Sequence, residues 1–302
     1  MDLPDLLRAG ILRPPLRRTD KDSWHGHIPF AFWCMEALAP RVVVELGCHK
    51  GDSYCAFCQA VDELSLDARC WGVDTWRGDP QAGHYGEEVY EELRRYHDPR
   101  YGRFSTLVRS TFDEALPRFA AASVDLLHID GSHAYEEVRH DFRSWLPKVS
   151  ARGVVLLHDI EVREAGFGVR RLWEELRHAH PSFSFEHGHG LGVLAVGADP
   201  PPALRWLTSL EGGEVEEVRR LFSRAADAVG LGSERTPAHQ SERIAELEAA
   251  LRERDRRIAF LSEEREALLR SSSWRLSSPV RLAGRLLRRL RRDRGPGGDA
   301  AA

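Results

Sequence analysis

A chain of 302 residues has room for one full α/β domain plus extensions. Its hydrophobic content of 42% is ordinary for a globular protein, and no run of about 18 apolar residues exists to span a membrane as a helix. The net charge of −4 hides an asymmetry: after Ser271 eight arginines face Asp293 and Asp299, a local +6 that leaves about −10 elsewhere. An acidic body with a basic tail is expected.

Met1 to Gly10 carries acids and a proline and lacks a signal-peptide core. Residues 1–23, rich in proline and charge, are expected to wrap the surface as an N-terminal arm. Trp24-His25-Gly26-His27-Ile28-Pro29 leads into an apolar helix, Phe30 to Leu38, with Pro29 in its first turn. Five cysteines lie within residues 34 to 70 on expected core elements, which suits reduced thiols in a cytosolic protein. Cys55 and Cys58 form a C-x-x-C without a second pair, and core packing is the expected use.

Arg41 to Asp52 reads as a buried strand, a tight glycine loop and the start of a helix. The β-branched run Val42 to Val44 suits a central parallel strand covered on both faces. Gly47 lets the chain turn, and Gly51 lets the next helix begin close to whatever lies above the strand. That helix aims free N–H groups and a partial positive charge into the same space. The loop lacks the G-x-G-x-x-G of a pyrophosphate site, and Glu45 before Gly47 would repel a pyrophosphate but suit a cationic ligand. This E-x-G-x-x-x-G resembles the first motif of class I S-adenosylmethionine-dependent methyltransferases. The resemblance implies cofactor contacts from Glu45, Gly47, Gly51 and Ser53.

Cys70 to Asp74 is a second strand ending in an acid. In a doubly wound sheet Asp74 would stand beside the first loop, where it could accept from ribose hydroxyls or act as a cap. Thr75 to Gly102 is a long excursion with a helix from about Glu87 to Tyr96, placed as a lid or specificity loop would be. Phe104 to Val108 is the third strand. Ser110 or Thr111 caps the next helix, and Thr111 is also a candidate cofactor contact.

Val124 to Asp130 is the fourth strand, followed by Gly131-Ser132-His133 and a helix to Leu146. Gly153 to Asp159 is the fifth, followed by a helix from Val169 to His180. Phe183 to His187 and Leu191 to Val196 are joined by only three residues, so they must pair antiparallel. Five βα steps and a closing hairpin predict a doubly wound, mostly parallel α/β sheet of the seven-stranded type with a reversed last strand. Polar residues gather at the carboxyl ends of its strands, where ligands bind.

Asp130 and Asp159 end neighbouring strands. Two converging carboxylates call for a cation or a proton between them, and an oxygen-rich site suits a divalent ion. His158 is read as a third ligand or a partner of the ligands. His133 is the candidate general base. A cap at Asp130 and a solvated His133 are the plain alternatives. Trp24, His25, His27, His187 and His189 either line the acceptor mouth or sit at the surface.

Ile129-Asp130-Gly131-Ser132-His133-Ala134-Tyr135-Glu136 together with Leu156-Leu157-His158-Asp159 is similar to one methyltransferase group. It includes macrolide-sugar O-methyltransferases, cephalosporin-hydroxylase-like proteins and modules found beside bacterial glycosyltransferases. The resemblance covers about residues 24 to 197. It implies Asp130 and His133 as catalytic residues, Asp130 also beside the cofactor, and a metal held by Asp130, His158 and Asp159. His158 stands where the family has a carboxylate, so magnesium fits less well than manganese, iron or zinc. The implied reaction is S-adenosylmethionine-dependent methylation of a sugar or glycan hydroxyl, with magnesium or manganese as the expected ion.

The expected organisation is an arm (1–23), a methyltransferase domain (24–200), an accessory helix (201–232), a coiled-coil segment (233–270) and a basic amphipathic or disordered tail (271–302). Ile244, Leu247, Leu251, Ile258, Leu261 and Leu268 form an a/d seam that suits homo-oligomerisation. Ser273 to Arg281 resembles the S-W-R-x-[ST]-x-P-x-R tail of bacterial surface-polysaccharide glycosyltransferases. Its arginines could meet an anionic bilayer, which implies a cytoplasmic protein touching the inner membrane face. Nucleic acid is not an expected partner, because the body is acidic. Two other classes compete: a non-catalytic scaffold that organises a glycosyltransferase complex, and a metal-dependent hydrolase, which the glycine loop with its acid disfavours.

Overall fold

The computed structural model describes residues 10–79 and 83–231. The coiled-coil seam and the basic tail lie outside the described residues. In chain order the elements are α1 (Ile28–Leu38), β1 (Val42–Leu46), α2 (Asp52–Glu63), β2 (Arg69–Asp74), a hairpin of β3 (Gly78–Asp79) and β4 (Gly83–His84), α3 (Glu87–Tyr101), β5 (Ser105–Arg109), α4 (Phe112–Ala115), β6 (Val124–Ile129), α5 (Tyr135–Trp145), β7 (Val149–His158), α6 (Val169–Leu176), β8 (Ser182–Phe185), β9 (Leu191–Ala195), α7 (Pro202–Leu207) and α8 (Gly213–Ala228).

Seven strands form one sheet in the order β5-β2-β1-β6-β7-β9-β8. β1 pairs parallel with β2 and β6, and β9 runs antiparallel to both β7 and β8. This is the expected class I methyltransferase topology. The strand order reverses at β1, so the carboxyl ends of β1 and β6 open a crevice there.

Side-chain alternation along the strands divides the core. Val43, Leu126, Leu156 and Val193 face α1 and α2, with Phe30, Trp33 and Phe222 of α8 in the same cluster. Val44, Leu127, Ile129 and Leu157 face α4, α5 and α6, with Trp145 and Trp173. Trp33 and Trp145 are fully buried, and each large apolar side chain so placed contributes about 1.5–3 kcal/mol. All five cysteines are buried and free, as the sequence suggested, and burial pushes the Cys34 thiol up to about 12.

Some boundaries differ from expectation. β7 begins at Val149, four residues early, because its first residues pair past a register shift opposite Val124 and Leu126 and are half-buried or exposed. α3 runs on to Tyr101 through Pro99, anchored by the buried His97 and Tyr101. The expected accessory helix is two helices, α7 and α8. Over residues 10–23 the arm runs along the surface, as expected, and is fastened to it at several points. Ile11 is fully buried, the Leu16 N–H donates to Gln59 Oε1 (2.8 Å), and Arg17 Nε donates to the Lys50 carbonyl (2.6 Å).

Candidate active site

The crevice holds a cavity of about 650 Å³, within the range of small-molecule sites. Gly47, Gly51, Ser53, Asp74, Thr111, Asp130, His133, His158 and Asp159 all line it. Further parts of its wall come from the arm, through Lys21 to Ser23, and from Trp24, Phe112, Phe167 and His189.

Gly47 has φ +89°, and a Cβ there would lie 2.1 Å from the Asp130 carbonyl oxygen. The glycine therefore lets the β1 loop pass directly against the end of β6. Gly51, at φ +81°, caps α2 and would strike Leu93 with any Cβ.

Glu45 departs from its expected role. It does not line the cavity. Register pairs Glu45 with His128, which puts both side chains side by side on the α2 face of the sheet. Glu45 Oε1 accepts from Ser53 Oγ (2.7 Å), and Oε2 lies 3.0 Å from His128 Nδ1. His128 Nε2 accepts from Trp24 Nε1 (3.2 Å), so Nδ1 carries the proton given to Glu45. Glu45 and His128 are fully buried, and burial raises the Glu45 pKa against the His128 and Ser53 bonds. The glycine-loop acid thus, through His128, fastens Trp24 to the sheet just past the end of the arm.

Asp74 reaches the rim, but its carboxylate is already engaged. Oδ2 accepts from the N–H groups of Cys48 and His49 (both 2.9 Å), and Oδ1 from that of Trp76 (2.7 Å). It braces the glycine loop. The same brace holds His49 in the left-handed region (φ +44°), with its carbonyl bonded to Trp76 Nε1.

The second carboxylate pair forms a tight cluster. His133 Nε2 lies 2.9 Å from Asp159 Oδ2, and His189 Nδ1 lies 3.2 Å from Asp159 Oδ1. His158 Nδ1 lies 3.1 Å from Asp130 Oδ1 and 3.4 Å from Asp159 Oδ1, while its Nε2 is 2.9 Å from the Gly188 carbonyl. Both His158 nitrogens face acceptors, so both act as N–H donors and the ring is an imidazolium. Burial opposes that charge, but Asp130 and Asp159 outweigh it and raise the pKa to about 9. Burial likewise opposes the charges on Asp130 and Asp159, and His158 overcomes it to hold both below the usual range. Asp159 is itself at φ +61°, a strained position for a non-glycine residue.

This geometry corrects the expected metal set. His158 presents no lone pair, so it is no ligand as arranged. The donor atoms that converge are those of Asp130, His133 and Asp159, all within 4.8 Å of one another.

The expectation for the histidines resolves into buried and exposed members. His25 is buried, with Nε2 2.8 Å from Asp52 Oδ1. His27 is fully buried, bonded to the Gly188 carbonyl (3.1 Å) and stacked on His187 at 4.6 Å. Burial lowers the pKa of His27 well below the ordinary value. Only His189 among these opens to solvent while lining the cavity. Sequence reasoning missed the wall made by Lys21, Asp22 and Ser23, and Phe167, whose ring packs 4.6 Å from that of His133.

Residues 44–160 match the family model for a methyltransferase domain. The methyltransferase match runs from β1 to the residue after Asp159, so it contains the glycine loop and both carboxylates of the cluster but not the arm. An uncharacterised protein of Sinorhizobium fredii (strain NBRC 101917 / NGR234) is 50% identical over 193 residues, 63% of this chain and 21% of that protein. The chain therefore spans about a fifth of that relative's length. Among solved structures, the O-methyltransferase TomG of Streptomyces achromogenes, in complex with SAM, is similar at 15% identity and a TM-score of 0.44, over 65% of this chain and 91% of that one. A methyltransferase of Geobacter sulfurreducens is similar at 15% identity and a TM-score of 0.41, over 55% and 76%.

Proposed function

We propose that this chain is an S-adenosylmethionine-dependent O-methyltransferase whose acceptor is a sugar or glycan hydroxyl. The observation that carries the reading is one cavity at the switch point, lined by the glycine loop and Asp74 together with the His133–Asp159 pair. A donor held along the first rim presents its methyl group to an acceptor held at the second.

The methyl sulfonium is already a strong electrophile, so the protein's task is to align and deprotonate the acceptor oxygen. His133 takes that proton, and Asp159 orients its ring and stabilises the charge it gains. His158 keeps Asp130 and Asp159 ionised beside each other. Phe167 packs on His133 and shields it from water. His189 and Trp24 border the space left for the acceptor.

Asp130, His133 and Asp159 are the residues that would hold a divalent ion, and in that state the His133 lone pair serves the ion instead of the acceptor's proton. Their mixed nitrogen and oxygen donors suit manganese, iron or zinc better than magnesium. Bound there, such an ion supplies Lewis-acid activation of the acceptor hydroxyl.

Calorimetry with S-adenosylmethionine, followed by a methyl-transfer screen over free, nucleotide-linked and oligomeric sugars, tests the proposal. Cofactor binding with transfer to a sugar is expected. Absence of cofactor binding would end the methyltransferase reading, and transfer confined to non-sugar acceptors would end the sugar assignment. Binding without any turnover would favour the scaffold reading. Homo-oligomerisation through residues 233–270 and contact of residues 271–302 with anionic membrane belong to the same proposal. Sedimentation of the full chain and of a chain ending at residue 232, with and without anionic vesicles, tests both.

A further inference from the structure

Three consecutive residues of the β8–β9 turn, Gly188, His189 and Gly190, sit in the left-handed region at φ +55°, +64° and +87°. Glycine adopts that conformation freely, but a histidine held there is strained. The bend already uses its backbone. The Gly188 carbonyl accepts from His27 and His158, the His189 carbonyl accepts from the Glu161 N–H (2.9 Å), and the Gly190 N–H donates to the His187 carbonyl (2.9 Å). None of these bonds calls for a side chain at position 189, and glycine would make them all without strain.

The side chain meets Asp159. His189 Nδ1 lies 3.2 Å from Asp159 Oδ1, and its ring lies 16° from parallel to that of His158, with centroids 6.2 Å apart. The His189 side chain is 60% exposed, so the bond adds little to stability. Asp159 is strained as well, at φ +61°. A bond of small structural worth thus joins two strained residues, and strain of this kind persists where function uses it.

The carboxylate shows what the bond does. Asp159 Oδ2 faces His133 Nε2 at 2.9 Å, and its direction depends on what holds Oδ1. The His158 Nδ1 lies 3.4 Å from that Oδ1 but 3.1 Å from Asp130 Oδ1. His189 is therefore the nearer donor to Asp159 Oδ1. Without it the carboxylate is freer to rotate about its last bond, whose torsion is soft, and to lose its line to His133.

We infer that His189 is a positioning residue: its Nδ1–H fixes the Asp159 carboxylate so that the other oxygen orients His133. The inference rests on the reading above in which His133 takes the acceptor's proton.

Kinetics and melting of the full chain, with the sugar acceptor that the methyl-transfer screen yields, test this. His189→Gly removes both the ring and the strain. Its kcat should fall about tenfold with acceptor KM and S-adenosylhomocysteine affinity within about twofold, while the melting temperature holds or rises. His189→Asn puts an amide nitrogen where Nδ1 was, on a residue that tolerates a left-handed φ, and should keep kcat within about threefold of wild type. In an Asp159→Asn chain, adding His189→Gly should cost less than about twofold, because both act through one carboxylate. An unchanged kcat in His189→Gly, beside a His133→Ala chain that loses turnover, overturns the inference and leaves the base reading standing. A kcat lost in step with the melting temperature, a change confined to acceptor KM, a His189→Asn chain as slow as His189→Gly, or an undiminished effect in the Asp159→Asn chain overturns it too. Wild-type turnover in His133→Ala, or a wild-type chain that transfers no methyl group in the screen, removes the reading and the inference together.

Discussion

His133 Nε2 stands 2.9 Å from Asp159 Oδ2, joining the start of α5 to the end of β7 across the cavity. The bond couples a ring able to exchange protons with a carboxylate that orients it. Replacing His133 with alanine should lower turnover by about 10²–10⁴-fold while S-adenosylhomocysteine still binds. Asp159→Asn should lower kcat in the same direction with a smaller change in KM. Single-turnover kinetics beside calorimetry will tell, and wild-type turnover in His133→Ala would remove the ring from this role.

The His158 imidazolium makes stability depend on pH. Its folded pKa of about 9 lies above the ordinary histidine value, so the folded state binds the proton more tightly. The stabilisation is complete below about pH 6.5, declines as pH rises, and is gone above about 9. Its scale is on the order of 2–3 kcal/mol for a ring this buried. Melting temperature should fall between pH 7 and 9.5 in the wild type, and His158→Gln should flatten that fall. Parallel curves would refute the ion cluster.

Gly47→Ala should destabilise the fold by about 2–4 kcal/mol, since the new methyl meets the Asp130 carbonyl and the left-handed φ is strained. Cofactor affinity should drop with it. Denaturant titration will measure the first effect; a stability equal to wild type would show that the loop relaxes.

Glu45→Gln separates a structural acid from a ligand contact. The amide can no longer accept from both Ser53 and His128 as a carboxylate does, so stability should drop by about 1–3 kcal/mol. Trp24→Phe, which removes the indole N–H that His128 Nε2 accepts, should cost about 1 kcal/mol. At a temperature where each chain is folded, the affinity for 5′-methylthioadenosine should stay near wild type. A large affinity loss without a stability loss would return Glu45 to the cofactor.

If an ion sits among Asp130, His133 and Asp159, chelation should lower turnover, and manganese should restore it better than magnesium. Metal analysis of the purified chain together with chelated assays checks this. Undiminished turnover in metal-free protein would remove the ion from the proposal.

The sheet was readable from the chain because its strands are short apolar runs that end in glycine or an acid, and the spacing of those ends sets the crevice. The places of Gly47, Asp74 and Asp130 on the crevice were legible for that reason. Glu45 was misread because its partner is chosen by the β1–β6 register, 83 residues away, which no local pattern reports. His158 stayed open between ligand and partner of the ligands because the carbonyl that fixes its tautomer comes from the β8–β9 turn. Lys21 to Ser23 went unseen because the arm has no periodicity, and polar bonds to α2 position it instead.

The Gly188 carbonyl accepts from both His27 and His158, one at the head of α1 and one at the end of β7. Insertions between His187 and Gly190 would disturb two histidines at once, so this bend should tolerate editing poorly.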